Sequence, residues 1–325
     1  MKKLLVRYKD MVSVENLLSA WQEFSSGKRK KKDVEVFSLN LMDNIISLHE
    51  ELINKTYKHG DYYAFSINDP KHRQIHKATV KDRIVHRAIY RKLYPFFDKT
   101  FISDSFSCRI NKGTHKALNR FKGFNYKVSK NNTKTVFVLK CDIRKFFASI
   151  SQGVLIEILK EYVPDGEIME LLQNVIKSFN KGLPLGNLTS QLFCNIYMNK
   201  FDQFVKHILK IKHYIRYADD FVIFSINRIY LEDLLAQVSI FLKGKLKLEL
   251  HPSKVSIETL ASGIDFLGWI HFSDHRVLRT STRNRMLRNP KLNKNNKATI
   301  NSYLGLLGYG NTGKVRWDFL KKIIV

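Results

Sequence analysis

The sequence predicts an α+β fold, an antiparallel sheet backed by helices on one face. Three observations carry this. The apolar run Val136-Phe137-Val138-Leu139 reads as a buried strand that passes into Lys140-Cys141-Asp142. Two further strand-like runs, His213 to Arg216 and Phe221 to Phe224, flank Tyr217-Ala218-Asp219-Asp220 as a hairpin. Segments of helical period lie before, between and after these strands.

The helical segments come first. Leu39, Met42, Ile45, Ile46 and Leu52 recur at helical spacing. Asp82 is placed to cap a helix with Ile84, Val85, Ala88, Ile89 and Leu93 on one face. Thr114, after Gly113, is placed to cap the next. Past the first strand, residues 167–179 form an amphipathic helix, and residues 189–209 a helix with Leu192, Phe193, Ile196 and Phe204 as core candidates. The hairpin follows. Residues 231–243 then read as a helix stopped by Gly244, and residues 245–250, alternating Lys or Glu with Leu, as a half-buried strand. Ser25-Ser26-Gly27-Lys28-Arg29-Lys30-Lys31-Lys32 reads either as a solvated loop or as a phosphate-contacting one. The polar stretch 288–299 reads as a loop or a poorly ordered arm.

A chain of 325 residues is long enough for two or three lobes with sizeable cores. Its 44% apolar and 12% aromatic content excludes a disordered chain. The net charge of +27 favours a polyanionic partner, nucleic acid first and an anionic membrane surface as the alternative. No apolar run approaches the roughly 20 residues that span a bilayer. The start Met1-Lys2-Lys3-Leu4-Leu5-Val6 stops at Arg7-Tyr8-Lys9-Asp10 before any apolar signal region forms. The 3 cysteines, Cys108, Cys141 and Cys194, show neither metal spacing nor a disulfide framework, which fits a reducing cytoplasm.

Adjacent carboxylates at a hairpin tip repel each other. A divalent cation relieves that repulsion, and carboxylate oxygens are the ligands Mg²⁺ prefers. Asp219 and Asp220 occupy that tip, and Asp142 ends a strand. Three such carboxylates on neighbouring strand ends suit two metals roughly 3.5–4 Å apart, the arrangement used in nucleotidyl transfer. A solvated turn is the alternative for the doublet alone. Between the two carboxylate sites, the turn Gly182-Leu183-Pro184-Leu185-Gly186 leads to Ser190-Gln191 at a helix opening, and this order of pieces favours the metal site.

The chain resembles the reverse transcriptases over nearly its whole length. The match rests on Asp142 with Phe146-Phe147, Leu183-Pro184-Leu185-Gly186, Tyr217-Ala218-Asp219-Asp220, His251-Pro252-Ser253-Lys254 and Phe266-Leu267-Gly268. Gly186-Asn187-Leu188-Thr189-Ser190-Gln191, together with Ser302-Tyr303-Leu304-Gly305 and Gly310-Asn311-Thr312, resembles the enzymes of diversity-generating retroelements. The resemblance implies a right-hand polymerase fold with fingers, an antiparallel-sheet palm and a helical thumb. Residues 1–134 would hold the N-terminal region and fingers, 135–265 the palm with part of the fingers interleaved, and 266–325 the thumb. It implies RNA-directed DNA synthesis with two Mg²⁺ ions, Mn²⁺ substituting. Template RNA, a DNA or RNA primer and dNTPs are the implied partners, with a small basic accessory protein and no membrane.

The resemblance also assigns residues. Asp142, Asp219, Asp220 and Lys254 are catalytic, and Asp142, Ile143, Asp219 and Asp220 hold metal. Arg73, Arg83, Ile143, Phe146, Phe147, Leu185, Gly186 and Gln191 bind substrate. Phe147, five residues after Asp142, excludes a 2′-hydroxyl; the alternative is a core Phe. Leu185 stands where many relatives carry Gln. An apolar chain there gives up polar readout and implies error-prone copying, chiefly opposite template adenine; plain core filler is the alternative. In the basic stretch 71–87, Arg73, Lys77, Lys81 and Arg83 meet triphosphate or template phosphates, or Arg83 pairs with Asp82 or Asp98. Arg109 and Lys112 are similar cases. Lys254 protonates the departing pyrophosphate or simply binds phosphate. Phe266-Leu267-Gly268-Trp269 forms the primer-grip turn. Arg283, Arg285 and Arg288 suit a thumb helix on a duplex backbone, or a solvated helix face. The C-terminus at Val325 leaves no room for RNase H, protease, integrase or endonuclease regions. The alternatives are another bacterial reverse transcriptase, from a retron, a group II intron or phage defence, and a non-catalytic RNA-binding protein on the same fold.

Overall fold

The computed structural model describes residues 2–68, 72–289 and 296–324. The chain forms two compact units. The first comprises Met1–Ser103, Ile143–Leu209 and Ile240–Glu249; the second comprises Asp104–Asp142, Lys210–Ser239 and Leu250–Val325.

The first unit is mainly helical. Helix Val14–Ser25 begins where the Ser13 hydroxyl accepts the Asn16 N–H, satisfying a donor that the helix start leaves free. Helix Val80–Asp98 begins at Thr79 rather than at Asp82: the Thr79 hydroxyl accepts the Asp82 N–H and donates to Asp82 Oδ2 at 2.6 Å. Asp82 is fully buried and also accepts from the Tyr57 hydroxyl at 2.7 Å and from the Gly60 N–H. Helix Leu41–Ile53 buries Ile45, Leu48 and Leu52, whereas Leu39, Met42 and Ile46 are exposed. The expected amphipathic helix spans Gly166–Lys177. Helix Leu188–Gln203 is buried on nearly all sides and runs on into a π-helical turn at Phe204–Ile208. Strands β1 (Tyr63–Ile67) and β2 (Arg73–Lys77) form a two-stranded antiparallel ribbon.

The second unit holds the expected sheet. Strands β3 (Phe137–Asp142), β4 (Tyr214–Tyr217), β5 (Asp220–Ser225) and β6 (Ser256–Thr259) pair antiparallel in the order β4-β5-β3-β6. Helix Thr114–Val128 covers this sheet: its Ala117, Phe121 and Phe124 pack with Val136, Val138, Ile215, Val222 and Phe224. Gly113, at φ 96, occupies the cap position, and Thr114 is the first helical residue, its hydroxyl 3.1 Å from that of Tyr217. A second sheet comprises β7 (Ile264–Phe266), β8 (Trp269–His271) and β9 (Arg276–Leu278). Its first hairpin turns at Leu267 (φ 52) and Gly268 (φ 86), both left-handed as a two-residue I′ turn requires. Trp269, Leu278, Met286, Leu307 and Phe319 form a core with the C-terminal helices Thr280–Arg288, Lys297–Leu307 and Gly313–Ile324.

Two further expectations are corrected. Gly244 does not end its helix, which spans Arg228–Leu246. The stop is Lys247, at φ 51 in the left-handed region, where the Leu248 N–H reaches back to the Leu242 carbonyl at 3.0 Å. Residues 245–250 are therefore a helix end and an extended connection. Their alternation reflects burial of Leu246 and Leu248 without a strand ladder, and the fourth strand is β6. Of the polar stretch 288–299, residues 290–295 lie outside the described residues, and Arg288 and Lys297 belong to helices. No helix among the described residues is long and apolar enough to cross a membrane.

Candidate active site

In the second unit, β3 ends on Asp142, whose cross-strand partner is Asp220, the first residue of β5. Directly opposed side chains share one sheet face, and like charges so placed are destabilising. Tyr217 pairs with Asp220 across the hairpin, which leaves Ala218 and Asp219 as a two-residue tip. Ala218 sits at φ 56, a conformation that favours glycine, so the tip is held under strain. Burial, then the charges of Asp219 and Asp142, push the Asp220 carboxyl up to about 6, against the pull of Lys140 and Lys254.

Lys254 donates to Asp142 Oδ1 at 2.9 Å. It is placed there by a turn: the His251 N–H bonds the Asp142 carbonyl at 2.7 Å, and the Lys254 N–H bonds the His251 carbonyl at 3.0 Å. Among the described residues, no three His, Cys, Asp or Glu side chains are gathered closely enough to hold a metal. The chemistry of the donors nevertheless fits a hard divalent cation. All are carboxylate oxygens, and the raised Asp220 registers negative charge that Lys254 only partly offsets. Ile143 is buried and apolar, so only its carbonyl is able to serve as a ligand.

Arg216 is the residue that sequence reasoning missed. It is fully buried, donates from Nη1 to the Ala218 carbonyl at 3.1 Å and from Nη2 to Ser105 Oγ at 3.0 Å. Its main chain bonds both Asp104 and Phe106. A guanidinium inside the sheet thus ties the carboxylate tip to the 104–106 segment. The available signal was a lone cation inside the strand Tyr214-Ile215-Arg216-Tyr217. Arg109 donates to the Ser105 carbonyl at 3.0 Å, and Lys112 lies over the Phe106 ring.

In the first unit, the structure joins three predicted groups through one loop. Gly182, at φ 69, lies so close to the Phe147–Ala148 main chain that a Cβ there would meet Phe147 O at 2.3 Å. The Leu183 N–H donates to the same carbonyl at 2.8 Å. Further along, the His76 N–H donates to the Leu185 carbonyl at 2.9 Å, and Gly186, at φ 111, would bring a Cβ to 2.8 Å from Ile75 Cγ2. Loop 182–186 therefore links the Phe147 segment to β2, the strand that begins at Arg73. Phe146 is buried, its ring 5.6 Å from that of half-buried Phe147. Leu185 is half-buried, and half-buried Gln191 lies in the first turn of helix Leu188–Gln203. Arg83 pairs with neither Asp82 nor Asp98: it bonds Asp33 at 2.5 Å and lies over the Phe24 ring. Lys77 shares Asp33 at 2.7 Å, and Lys81 bonds Glu51.

A reverse transcriptase (RNA-dependent DNA polymerase) family profile matches residues 53–271, and the chain belongs to that family. It is 26% identical over 247 residues to protein YkfC of Escherichia coli K12, covering 63% of each chain. It is 23% identical over 351 residues to the group II intron-encoded protein LtrA of Lactococcus lactis subsp. cremoris, covering 82% of this chain and 56% of LtrA. The chain thus spans less than two thirds of the length of either relative. Among solved structures, telomerase from Candida albicans in complex with a telomeric RNA fragment aligns at a TM-score of 0.53 and 13% identity, over 72% of this chain and 51% of that one. Apo telomerase from Candida tropicalis aligns at 0.52 and 13%, over 74% and 53%. That likeness is one of fold, and the fold is the right-hand polymerase fold.

Proposed function

We propose that this chain is an RNA-directed DNA polymerase that extends a primer along an RNA template with dNTPs. The observation that carries the reading is Asp142 facing Asp220 across the sheet, with Asp219 on the adjoining tip, in a chain of the reverse transcriptase family. The test is primer extension on RNA with Mg²⁺: radiolabelled cDNA is expected, and its absence with an intact fold favours a non-catalytic RNA-binding role. Within the right-hand fold we assign residues 1–134 to the N-terminal region and fingers, 135–265 to the palm and 266–325 to the thumb.

Asp142, Asp219 and Asp220, with the Ile143 carbonyl, would hold Mg²⁺. Of two such ions, one would lower the pKa of the primer 3′-hydroxyl and the other would hold the triphosphate and neutralise the leaving pyrophosphate. Lys254 keeps its ammonium on Asp142 Oδ1, so it orients that carboxylate and carries a proton at Nζ for the departing phosphate. General-acid help of this kind contributes about 10²–10⁴-fold.

Phe147 excludes the 2′-hydroxyl in this reading, and the Leu183 N–H bonded to its carbonyl fixes the ring's backbone. Phe147→Ala is expected to weaken dNTP over rNTP selection by about tenfold or more, about 1.4 kcal/mol. Competitive incorporation of rNTPs measures this, and an unchanged ratio would move the gate to another residue.

We further propose that copying is error-prone at template adenines, as in diversity-generating retroelements, with a small basic accessory protein as partner. The support is Leu185, a half-buried apolar side chain on a loop fixed at both ends. Leu185→Gln is expected to lower misinsertion opposite adenine several-fold more than opposite the other bases. Sequencing cDNA made by both proteins on one RNA checks it. If the wild type has no adenine bias, a group II intron-like, retron or phage-defence enzyme is the better reading.

A further inference from the structure

Asp219 stands beside Ala218 on the two-residue hairpin tip, and Ala218 is held at φ 56. A residue with a Cβ is strained in that left-handed conformation, which persists only where the surroundings fix it. The fixing contact is the Arg216 guanidinium, whose Nη1 donates to the Ala218 carbonyl at 3.1 Å. Its Nη2 donates to Ser105 Oγ at 3.0 Å. Arg216 and Ser105 are both 0% exposed. A guanidinium is costly to desolvate, and its planar fork is suited to bridging two fixed acceptors.

Ser105 is itself anchored. Segment 104–106 runs beside β4 as a parallel bridge. The Arg216 N–H bonds the Asp104 carbonyl, and the Phe106 N–H bonds the Arg216 carbonyl, both at 3.0 Å. Helix Thr114–Val128 and its cap grip the same segment. Arg120 Nε donates to Asp104 Oδ1 at 2.6 Å, and the Gly113 N–H bonds the Phe106 carbonyl at 2.9 Å. This helix packs on the sheet core through Ala117, Phe121 and Phe124, so the acceptor that Ser105 offers has a fixed place. Arg216 carries the rigidity of that frame to the tip.

We propose that the relay Ser105–Arg216–Ala218 positions the hairpin tip so that Asp219 and Asp220 meet a divalent cation. Arg216 is a positioning residue, since it acts through the Ala218 carbonyl. The inference rests on the metal reading of the carboxylates given above and names what sets the affinity of that site. The sign of the effect separates position from charge. A guanidinium this close to the tip repels a bound metal ion, so loss of its charge alone would tighten binding. Loss of the relay frees Ala218 from its strained conformation and lets the carboxylates drift from their shared place, so binding weakens. Lysine keeps the charge, but its ammonium lacks the planar fork that spans both acceptors.

The test is Mn²⁺ binding to the full chain, read by electron paramagnetic resonance of the free ion. The difference between wild type and Asp219→Asn isolates the ion held at the tip. Equal binding by these two removes the metal reading, and the inference with it. Against that difference, Arg216→Lys and Arg216→Met are each expected to weaken Mn²⁺ binding at least about tenfold. Ser105→Ala is expected to weaken it about threefold, within the scale of one hydrogen bond. Primer extension gives a second readout. The Mg²⁺ midpoint is expected to rise by the same factor, with extension by Arg216→Lys recovering at saturating Mg²⁺. A merely structural role would instead lower extension at every Mg²⁺ concentration and leave the Mn²⁺ affinity of the folded chain unchanged. Unchanged affinity in Arg216→Lys, folded by circular dichroism, overturns the inference while the metal reading stands. Tighter binding by Arg216→Met makes charge the role and also overturns it. If Arg216→Lys does not fold, Ser105→Ala decides, and an unchanged Mn²⁺ affinity there overturns the relay.

Discussion

Asp219→Asn and Asp142→Asn are each expected to reduce Mg²⁺-dependent primer extension on the order of 10³-fold or more. Each change keeps the side-chain shape and removes one negative charge. Asp142 and Asp220 are partners across β3 and β5, and Asp219 projects from a tip held by Ala218 at φ 56. Their joint charge is what makes a divalent cation favourable there, and a catalytic metal stabilises transition-state charge by several kcal/mol. The measurement is single-turnover extension with each variant, alongside circular dichroism to show an intact fold. Extension within a few-fold of wild type by either variant would sink the metal assignment. The Asp142 variant carries a second expectation: Lys254 loses its ionic partner at 2.9 Å, so its ammonium is freed as well.

Asp82→Ala is expected to destabilise the protein by about 3 kcal/mol or more. The Asp82 carboxylate is fully buried and accepts from the Tyr57 hydroxyl, the Thr79 hydroxyl and the Gly60 N–H. Removing it leaves the buried Tyr57 hydroxyl, the Gly60 N–H and the Thr79 hydroxyl without their shared acceptor at the start of helix Val80–Asp98, beside the neutral His86, whose ring burial pushes down to about 3. The effect has a definite sign with pH. Burial alone would raise the Asp82 carboxyl, but hydrogen bonds from Thr79, Tyr57 and Gly60 and the nearby His59 outweigh it, and the pKa is lowered. A lowered folded pKa gives stability that is complete above the unfolded value of about 3.9 and is lost as pH falls through the folded value. Urea unfolding at pH 7 should therefore show the full gap between wild type and variant, and the gap should shrink in acid below about pH 4. A gap that grows in acid would reverse the assignment.

Much of this chain was legible before its structure. The apolar run ending in Asp142, the Asp219-Asp220 doublet between two short strands and the Gly182 to Gly186 turn each announce themselves, because strand and turn signals are local. So does the charge of +27. The errors were local as well. Thr79 outcompetes Asp82 for the cap because Asp82 is already engaged by Tyr57 and Gly60, residues far off in sequence. Gly244 is carried through its helix because the left-handed Lys247 and the bond from the Leu248 N–H to the Leu242 carbonyl set the end there.

What the sequence by itself determined was part of the inventory: the strand that ends on Asp142, the hairpin that carries Asp219 and Asp220, and the loop that carries Leu185. What only the tertiary structure decided was partnership. Strand register sets Asp142 opposite Asp220, and a pairing shifted by one residue would turn one of them to the other face. Contact across the chain places the Arg216 guanidinium under the tip carbonyl of Ala218, gives Arg83 to Asp33, and brings the main chain of Phe147 against Gly182. Such pairings depend on side-chain reach and burial between segments tens of residues apart, and no local periodicity encodes them.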